Sequence, residues 1–326
     1  MKTWKSVCIF GAIGVVLAGA VLITGKKGVG EVNKEAYTNY LNECDNLKKL
    51  GFANFTPENT KIRFFDGDND FVVDGSNEWK KEKPVLNVIA GTVWQVGDEY
   101  QALVPVYEKM HGLTEAVEGV RIMQDGMNNQ VKGDDNGNAR QDSTFSEDSF
   151  VSTICHEAFH CWQFANFEEQ ILKRSQGFTG DREAVIVEEI DKKEEMAASV
   201  EREVNLYRDA YFTKDTETKK KLIAEALKEG ADRADKLSAD GKFTEYYLET
   251  LEGSAQYIEA MSFRDLTSEE EFKAQYLGEF VYCGGSGKYY TIGLYQCLLL
   301  DQLNVDWQEE FSFENSPSTI LENMLK

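Results

Sequence analysis

His156-Glu157-Ala158-Phe159-His160 lies inside the apolar-rich run Phe150 to Phe167, which contains no proline and no glycine. Such a run reads as a helix. On a helix, residues four apart share one face, one turn above each other. His156 and His160 can therefore present two imidazole nitrogens to a single metal ion. Glu157 stands about 100° further round, where it reaches a water beside that ion without ligating the ion. A general base beside a metal-acidified water is what amide hydrolysis requires. The chain has only 3 His in 326 residues, and two of them fall in this pattern. The plainer alternatives are a buried helix with two hydrogen-bonded core histidines, or a metal site without catalysis.

Composition narrows the function classes. Lys and Arg number 35 against 57 Asp and Glu, a formal net charge of -22. A surface this acidic argues against a nucleic-acid partner, because phosphate binding needs a basic patch. Hydrophobic residues make up 42% of the chain and aromatic ones 12%, enough for a sizeable core. The six cysteines include no C-x-x-C pair, which argues against thiolate zinc or thioredoxin chemistry. Cys155 and Cys161 lie roughly 9 Å apart along one helix, too far for a mutual disulfide. They read as helix-packing residues. Cys283 and Cys297 can bridge only in an oxidising compartment.

Outward from the histidine run, the chain begins with Lys2 and Lys5, then an uncharged apolar run from Val7 to Ile23, then Lys26-Lys27. This reads as an export signal. Ala18-Gly19-Ala20 has the form of a cleavage site, while the length from Ser6 to Thr24 approaches a membrane span. Residues 1–30 are therefore a signal peptide or a membrane anchor, with the anchor favoured. Glu31 to Leu50 follows as an amphipathic helix with Tyr37, Leu41, Leu47 and Leu50 on its apolar stripe and Gly51 as its stop.

Lys61 to Phe65 and Phe71 to Val73 read as strands around the turn Asp66-Gly67-Asp68-Asn69-Asp70. Phe71 stands where an EF-hand loop needs glycine, so this is a hairpin turn rather than a calcium loop. Val85 to Val93 and Gln101 to Tyr107 are further strands, and Lys132 to Gln141 is a polar loop. His111 reads as a loop or core histidine. Asp148 or Ser149 caps the histidine-bearing helix. Arg182 to Phe212, Thr216 to Leu237, Phe243 to Phe263 and Tyr289 to Leu303 read as helices, and a short one starts at Thr267, Ser268 and Glu270. The expectation is an α+β chain, mostly helical, with an α+β part over 31–145 and a helical part over 146–326 that carries the metal site.

Catalytic zinc usually takes three protein ligands and leaves a position open. The extended H-E-x-x-H-x-x-G-x-x-H form fails, because position 163 is Gln and position 166 is Asn. A carboxylate from a later helix is the natural third donor. The strongest candidate is Glu252, in Leu251-Glu252-Gly253-Ser254-Ala255-Gln256-Tyr257, where Gly253 and Ala255 let this helix approach the histidine-bearing helix closely, as a short carboxylate reach demands. Glu249, Glu194 and Glu195 compete with it. At this point the sequence resembles the gluzincin metallopeptidases, which pair H-E-x-x-H with a downstream E-G-x-A-x-Y-like helix. The resemblance implies a zincin-like helical half, Zn2+ held by His156, His160 and Glu252, and Glu157 as general base and acid. It also implies a peptide or protein substrate and an inserted helical pair between His160 and Glu252.

An oxyanion needs a donor besides the metal. Tyr290, one turn before Gly293 on the last apolar helix, is the candidate, with Tyr289, Tyr282 and Tyr257 competing. The expected function is a zinc metallopeptidase, secreted or anchored by its N-terminal segment in a cell envelope of bacterial type. The alternative is a membrane-tethered binding or scaffold domain with a structural or vestigial metal site. A zinc hydrolase acting on a non-peptide amide would share the site and differ in its pocket.

Overall fold

The structure, a computed structural model, describes residues 28–114, 145–178 and 180–326. The apolar leader and the polar loop expected over Lys132 to Gln141 lie outside the described residues. Among those described, no helix is long and apolar enough to cross a membrane. The architecture is mostly helical with one small mixed sheet, as the pattern of elements predicts.

Helix α1 (Glu31–Lys49) places Glu31 in its first turn and Lys48 and Lys49 in its last, each sign matching the helix dipole. Its core face is Ala36, Tyr37, Tyr40, Cys44 and Leu47. Leu41 and Leu50 of the expected stripe are only half-buried, because Tyr40 and Cys44 take the inner positions. Gly51 ends the helix at φ +94°, a left-handed position that glycine occupies at no steric cost.

Five strands follow: β1 (Ile62–Phe65), β2 (Asp70–Val73), β3 (Lys80–Glu82), β4 (Thr92–Val96) and β5 (Glu99–Pro105). Their order across the sheet is β3-β2-β1-β5-β4. β1 pairs parallel with β5, and every other pairing is antiparallel. The acidic turn between β1 and β2 is a hairpin turn, as expected. Asp66 Oδ1 accepts the amides of Asp68 and Asn69 at 2.8 and 2.7 Å. Two expectations fail here. β3 escapes notice because Lys80, Lys81 and Glu82 are all exposed on an edge strand. Val85 to Val93 is not a strand, and pairing starts only at Thr92. Val85, Leu86 and Val88 are spent packing on Phe65 and Leu103, covering a second, smaller apolar cluster.

Helix α2 (Glu147–Arg174) carries the histidines and is buried on most sides. It packs between α1 and β5 and a later helix, α7, described below. Its N-cap is Ser146, whose Oγ accepts Ser149 N at 3.1 Å. The expected caps, Asp148 and Ser149, sit instead in the first turn, where Glu147 and Asp148 complement the dipole.

Arg182 to Phe212 breaks into α3 (Arg182–Ile186), a wide π-type turn (Val187–Asp191) and α4 (Glu194–Phe212). The break sits at Asp191, whose carboxylate is drawn to Tyr282 Oη, Gly285 N and Lys288 Nζ. After α5 (Thr216–Ala234), the next expected helix is divided in the same way. It is α6 (Ala239–Tyr247), a π-type turn (Leu248–Glu252) and α7 (Gly253–Leu266). α8 (Glu269–Tyr276) is capped by Ser268, as expected. α9 (Gly287–Gln302) crosses α7 at two glycines. A Cβ on Gly253 would lie 2.5 Å from Gly293 Cα, and one on Gly293 would lie 2.3 Å from Glu249 O. Only glycine permits that approach. α10 (Trp307–Glu310) and α11 (Pro317–Met324) close the chain. Cys155, Cys161 and Cys297 are buried and Cys283 is exposed, and none is in a disulfide.

Candidate metal centre

The α2 helix projects His156 and His160 from successive turns, and the π-type turn projects Glu252 toward them. The three form a fully buried donor group whose ligand atoms lie within 4.8 Å of one another. His160 Nε2 is 3.0 Å from His156 Nε2 and 3.1 Å from Glu252 Oε2. His156 Nε2 is 3.6 Å from the same oxygen.

Neighbours fix which nitrogen of each ring faces this group. His160 Nδ1 is 2.6 Å from Gln163 Oε1. The Gln163 amide nitrogen is itself spent on Leu251 O and Ser254 Oγ, at 3.0 and 2.8 Å. Gln163 must therefore present its oxygen, so His160 Nδ1 carries the donated proton and Nε2 keeps a lone pair. His156 Nδ1 lies 2.9 Å from Glu259 Oε2, at charge-pairing distance though off strict hydrogen-bond alignment. Glu259 is in turn held by Tyr276, whose hydroxyl donates to Oε1 at 3.0 Å.

Both rings thus turn an unprotonated Nε2 toward a carboxylate oxygen. Three acceptors at hydrogen-bond distance, with no donor among them, repel one another unless a cation or a proton sits between them. Two imidazoles and one carboxylate, each backed by a polar partner, form a donor set suited to a divalent metal. Without a metal, a proton takes that place. Burial opposes charge on His156, yet Glu252 and Glu259 outweigh it and push the imidazole up to about 10. Burial likewise works against ionised Glu252, but the two histidines hold it well below the usual carboxylate range.

Glu157 does not join the donor group. Burial pushes it up to about 7, against the pull of His156 and His160. Its Oε2 is buried without a hydrogen-bond partner. Its side chain lies against the segment leading into β4, where a Cβ on Gly91 would fall 2.3 Å from Glu157 Oε1. Glycine at position 91 is thus what makes room for this carboxylate. A cavity of about 180 Å³ opens onto His156, Glu157, His160, Glu252, Glu259 and Tyr290, with Gly91 and Thr92 on its wall.

The competing residues are placed elsewhere. Glu195 is exposed and pairs with Lys236. Glu249 shares the π-type turn with Glu252 but faces Arg233, 3.9 Å away. His111 lies in a helical segment over 107–114, its ring 5.5 Å from that of Tyr107, and outside the donor group. Among the tyrosines, Tyr289 donates to Glu245, Tyr282 to Asp191 and Tyr257 to Asp301. Tyr290 alone of the four lines the cavity, with its ring 6.5 Å from that of His156 and its hydroxyl oxygen buried without a well-aligned partner. Burial and then Glu252 push its pKa well above the ordinary tyrosine value, so it stays protonated.

Two residues of the site, Glu259 and the orienting Gln163, escaped the sequence reading. Glu259 follows Glu252 by seven residues, two turns along the same face, and that spacing was the available signal. Replacing Glu259 by Gln is expected to weaken zinc binding about 10- to 100-fold, measured by competition with a chromophoric chelator. An unchanged affinity would mean that His156 needs no carboxylate behind it. Compared with known proteins, the chain matches no family model, no curated protein and no solved structure.

Proposed function

We propose that the chain is a zinc-dependent metallopeptidase, exported and either secreted or tethered through its N-terminal segment. The observation that carries this reading is the convergence of three acceptor atoms, from His156, His160 and Glu252, beside a buried carboxylate that ligates nothing. Two imidazoles and one carboxylate are a donor set of catalytic zinc, which keeps a fourth position open. The mixed nitrogen and oxygen donors favour zinc over the oxygen-seeking calcium and magnesium. The resemblance to gluzincins in H-E-x-x-H and E-G-x-A-x-Y supports the same assignment.

A bound zinc ion supplies Lewis acidity, which lowers the pKa of a water and polarises a carbonyl. His156, His160 and Glu252 would hold the ion, and Glu259 and Gln163 hold the two rings in register. Glu157, with a pKa near neutrality, takes the proton from the attacking water and returns it to the leaving amine. Tyr290 remains protonated and donates its hydroxyl to the oxygen that develops negative charge.

The test is a zinc-loaded chain incubated with a diverse peptide library and read by mass spectrometry. Cleavage is expected, lost on chelation and restored by zinc. A chain that binds zinc stoichiometrically and cleaves no peptide would support the tethered, non-catalytic binding domain instead. Cleavage of a non-peptide amide alone would move the reading to a different substrate class at the same site.

A further inference from the structure

Behind the π-type turn lies a second polar cluster that no step of the proposed reaction uses. Arg233 of α5 is 1% exposed and lies among carboxylates from three other elements. Its Nη1 is 2.7 Å from Glu203 Oε2 of α4, an ion pair whose N–H misses hydrogen-bond alignment. Its Nε donates to Glu245 Oε1 of α6 at 2.7 Å. Its Nη2 lies 3.9 Å from Glu249 Oε1, on the turn itself. From α9, Tyr289 donates its hydroxyl to Glu245 Oε1 at 2.9 Å, and Gln296 Nε2 approaches Glu249 Oε2 at 3.4 Å.

This cluster grips both ends of the site. Glu245 and Glu249 precede Glu252 by two turns and one turn of the same continuous segment. Tyr289 immediately precedes Tyr290. Close packing cannot do this job alone, because a cavity of about 610 Å³ lies on that side, lined by Glu203, Tyr207, Arg233, Glu245, Glu249 and Gln296. The turn also rests on Gly293 of α9, where the backbones touch at Glu249 O. The turn is thus braced by backbone contact at Gly293 and by directional polar contacts from Arg233 and Gln296. Wide turns of this type leave the regular helical hydrogen-bond ladder, and their shape depends on such outside contacts.

We infer that Arg233 is a positioning residue for the metal centre, fixing the π-type turn so that Glu252 reaches the imidazole pair. The inference rests on the metal-binding part of the proposed function, though not on peptide cleavage.

The test is a double-mutant cycle read as zinc affinity, with Zn2+ alone as the probe and circular-dichroism melts confirming folding. Arg233→Met is expected to weaken zinc binding roughly tenfold or more, with Arg233→Lys recovering part of the loss. In a Glu252→Gln background, Arg233→Met is expected to cause no further loss, because its target is already gone. Losses that simply multiply would overturn the inference, since a general structural role acts whether or not Glu252 is present. Should Arg233→Met fail to fold, Tyr289→Phe keeps the ring and removes only the hydroxyl that ties α9 to Glu245. It is expected to weaken zinc binding roughly tenfold in the parent and to have no effect in the Glu252→Gln background. A parent that binds no zinc sinks the metal-centre reading and this inference together. A parent that binds tightly, with Arg233→Met and Tyr289→Phe binding equally tightly, sinks the inference alone.

Discussion

Glu157→Gln is expected to bind zinc like the parent and to hydrolyse peptides about 10²- to 10⁴-fold more slowly. Glutamine keeps the shape of the side chain, so the close fit against Gly91 survives. It cannot take a proton, so the water loses its base. The three donor atoms belong to other residues, so the metal stays. The measurement is kcat/KM on the fastest-cleaved library peptide, beside a zinc titration of the same preparation. Parallel loss of zinc and activity would make Glu157 a structural group. Unchanged activity would remove it from the mechanism. The parent's pH profile offers a second check. In the metal-free chain burial pushes Glu157 up to about 7, and a bound cation would pull it lower, so hydrolysis should rise with pH below neutrality as the base becomes ionised. A ground-state carboxylate with an ordinary pKa would already be ionised there and would give a flat profile.

Much of this site is legible in the chain because its chemistry is local. His156, Glu157 and His160 fall within five residues, on a helix whose run lacks any breaker. Glu252 is distant in sequence, and its flanking Gly253 does mark a close approach, but to Gly293 of α9 rather than to the histidine-bearing helix. What could not be read depends on contacts between elements. Both π-type turns escape notice because Val187–Asp191 and Leu248–Glu252 contain no proline or glycine to mark a break. The apolar run Val85 to Val93 resembles a strand by composition, whereas its use is decided by which face of the sheet needs cover. Ser146 outcompetes Asp148 and Ser149 as cap because the chain turns one residue pair earlier than the charge pattern implies. Arg233, Glu203 and Glu245 look like ordinary surface charges on amphipathic helices. Their convergence appears only when four elements are brought together.

Removing the metal should invert the pH dependence of stability. Without zinc, the donor group needs a proton between its acceptors, and His156 supplies it with a pKa pushed up to about 10. A folded-state pKa raised above the unfolded value gives stability that is complete below the unfolded value, near 6.5 for histidine. That stability is lost as pH rises through the folded value. Glu157 acts in the same direction at lower pH, since burial raises it from the ordinary carboxylate value to about 7. Glu252 acts oppositely, but its pKa is depressed, so its contribution is lost only under strongly acid conditions. The metal-free chain should therefore lose stability progressively from about pH 5 to about pH 10, by an amount on the order of a few kcal/mol. Between about pH 6.5 and 8 few other groups titrate; above that the buried thiols of Cys44, Cys155, Cys161 and Cys297, whose pKa burial also raises, add a loss of the same sign. Zinc replaces the proton, and its affinity rises as the ligands deprotonate. At zinc concentrations about 1,000-fold above its dissociation constant, stabilisation should reach about 4 kcal/mol, so the gap between loaded and metal-free curves should widen with pH. Thermal melts at pH 5, 7 and 9, with zinc and with chelator, measure both curves. A metal-free Tm that stays level from pH 6.5 to 9, or a zinc-induced shift that shrinks over that range, would show that no proton bridges these acceptors. The absence of any zinc-induced shift at all three pH values would make the imidazole pair an ordinary feature of a buried core rather than a metal centre.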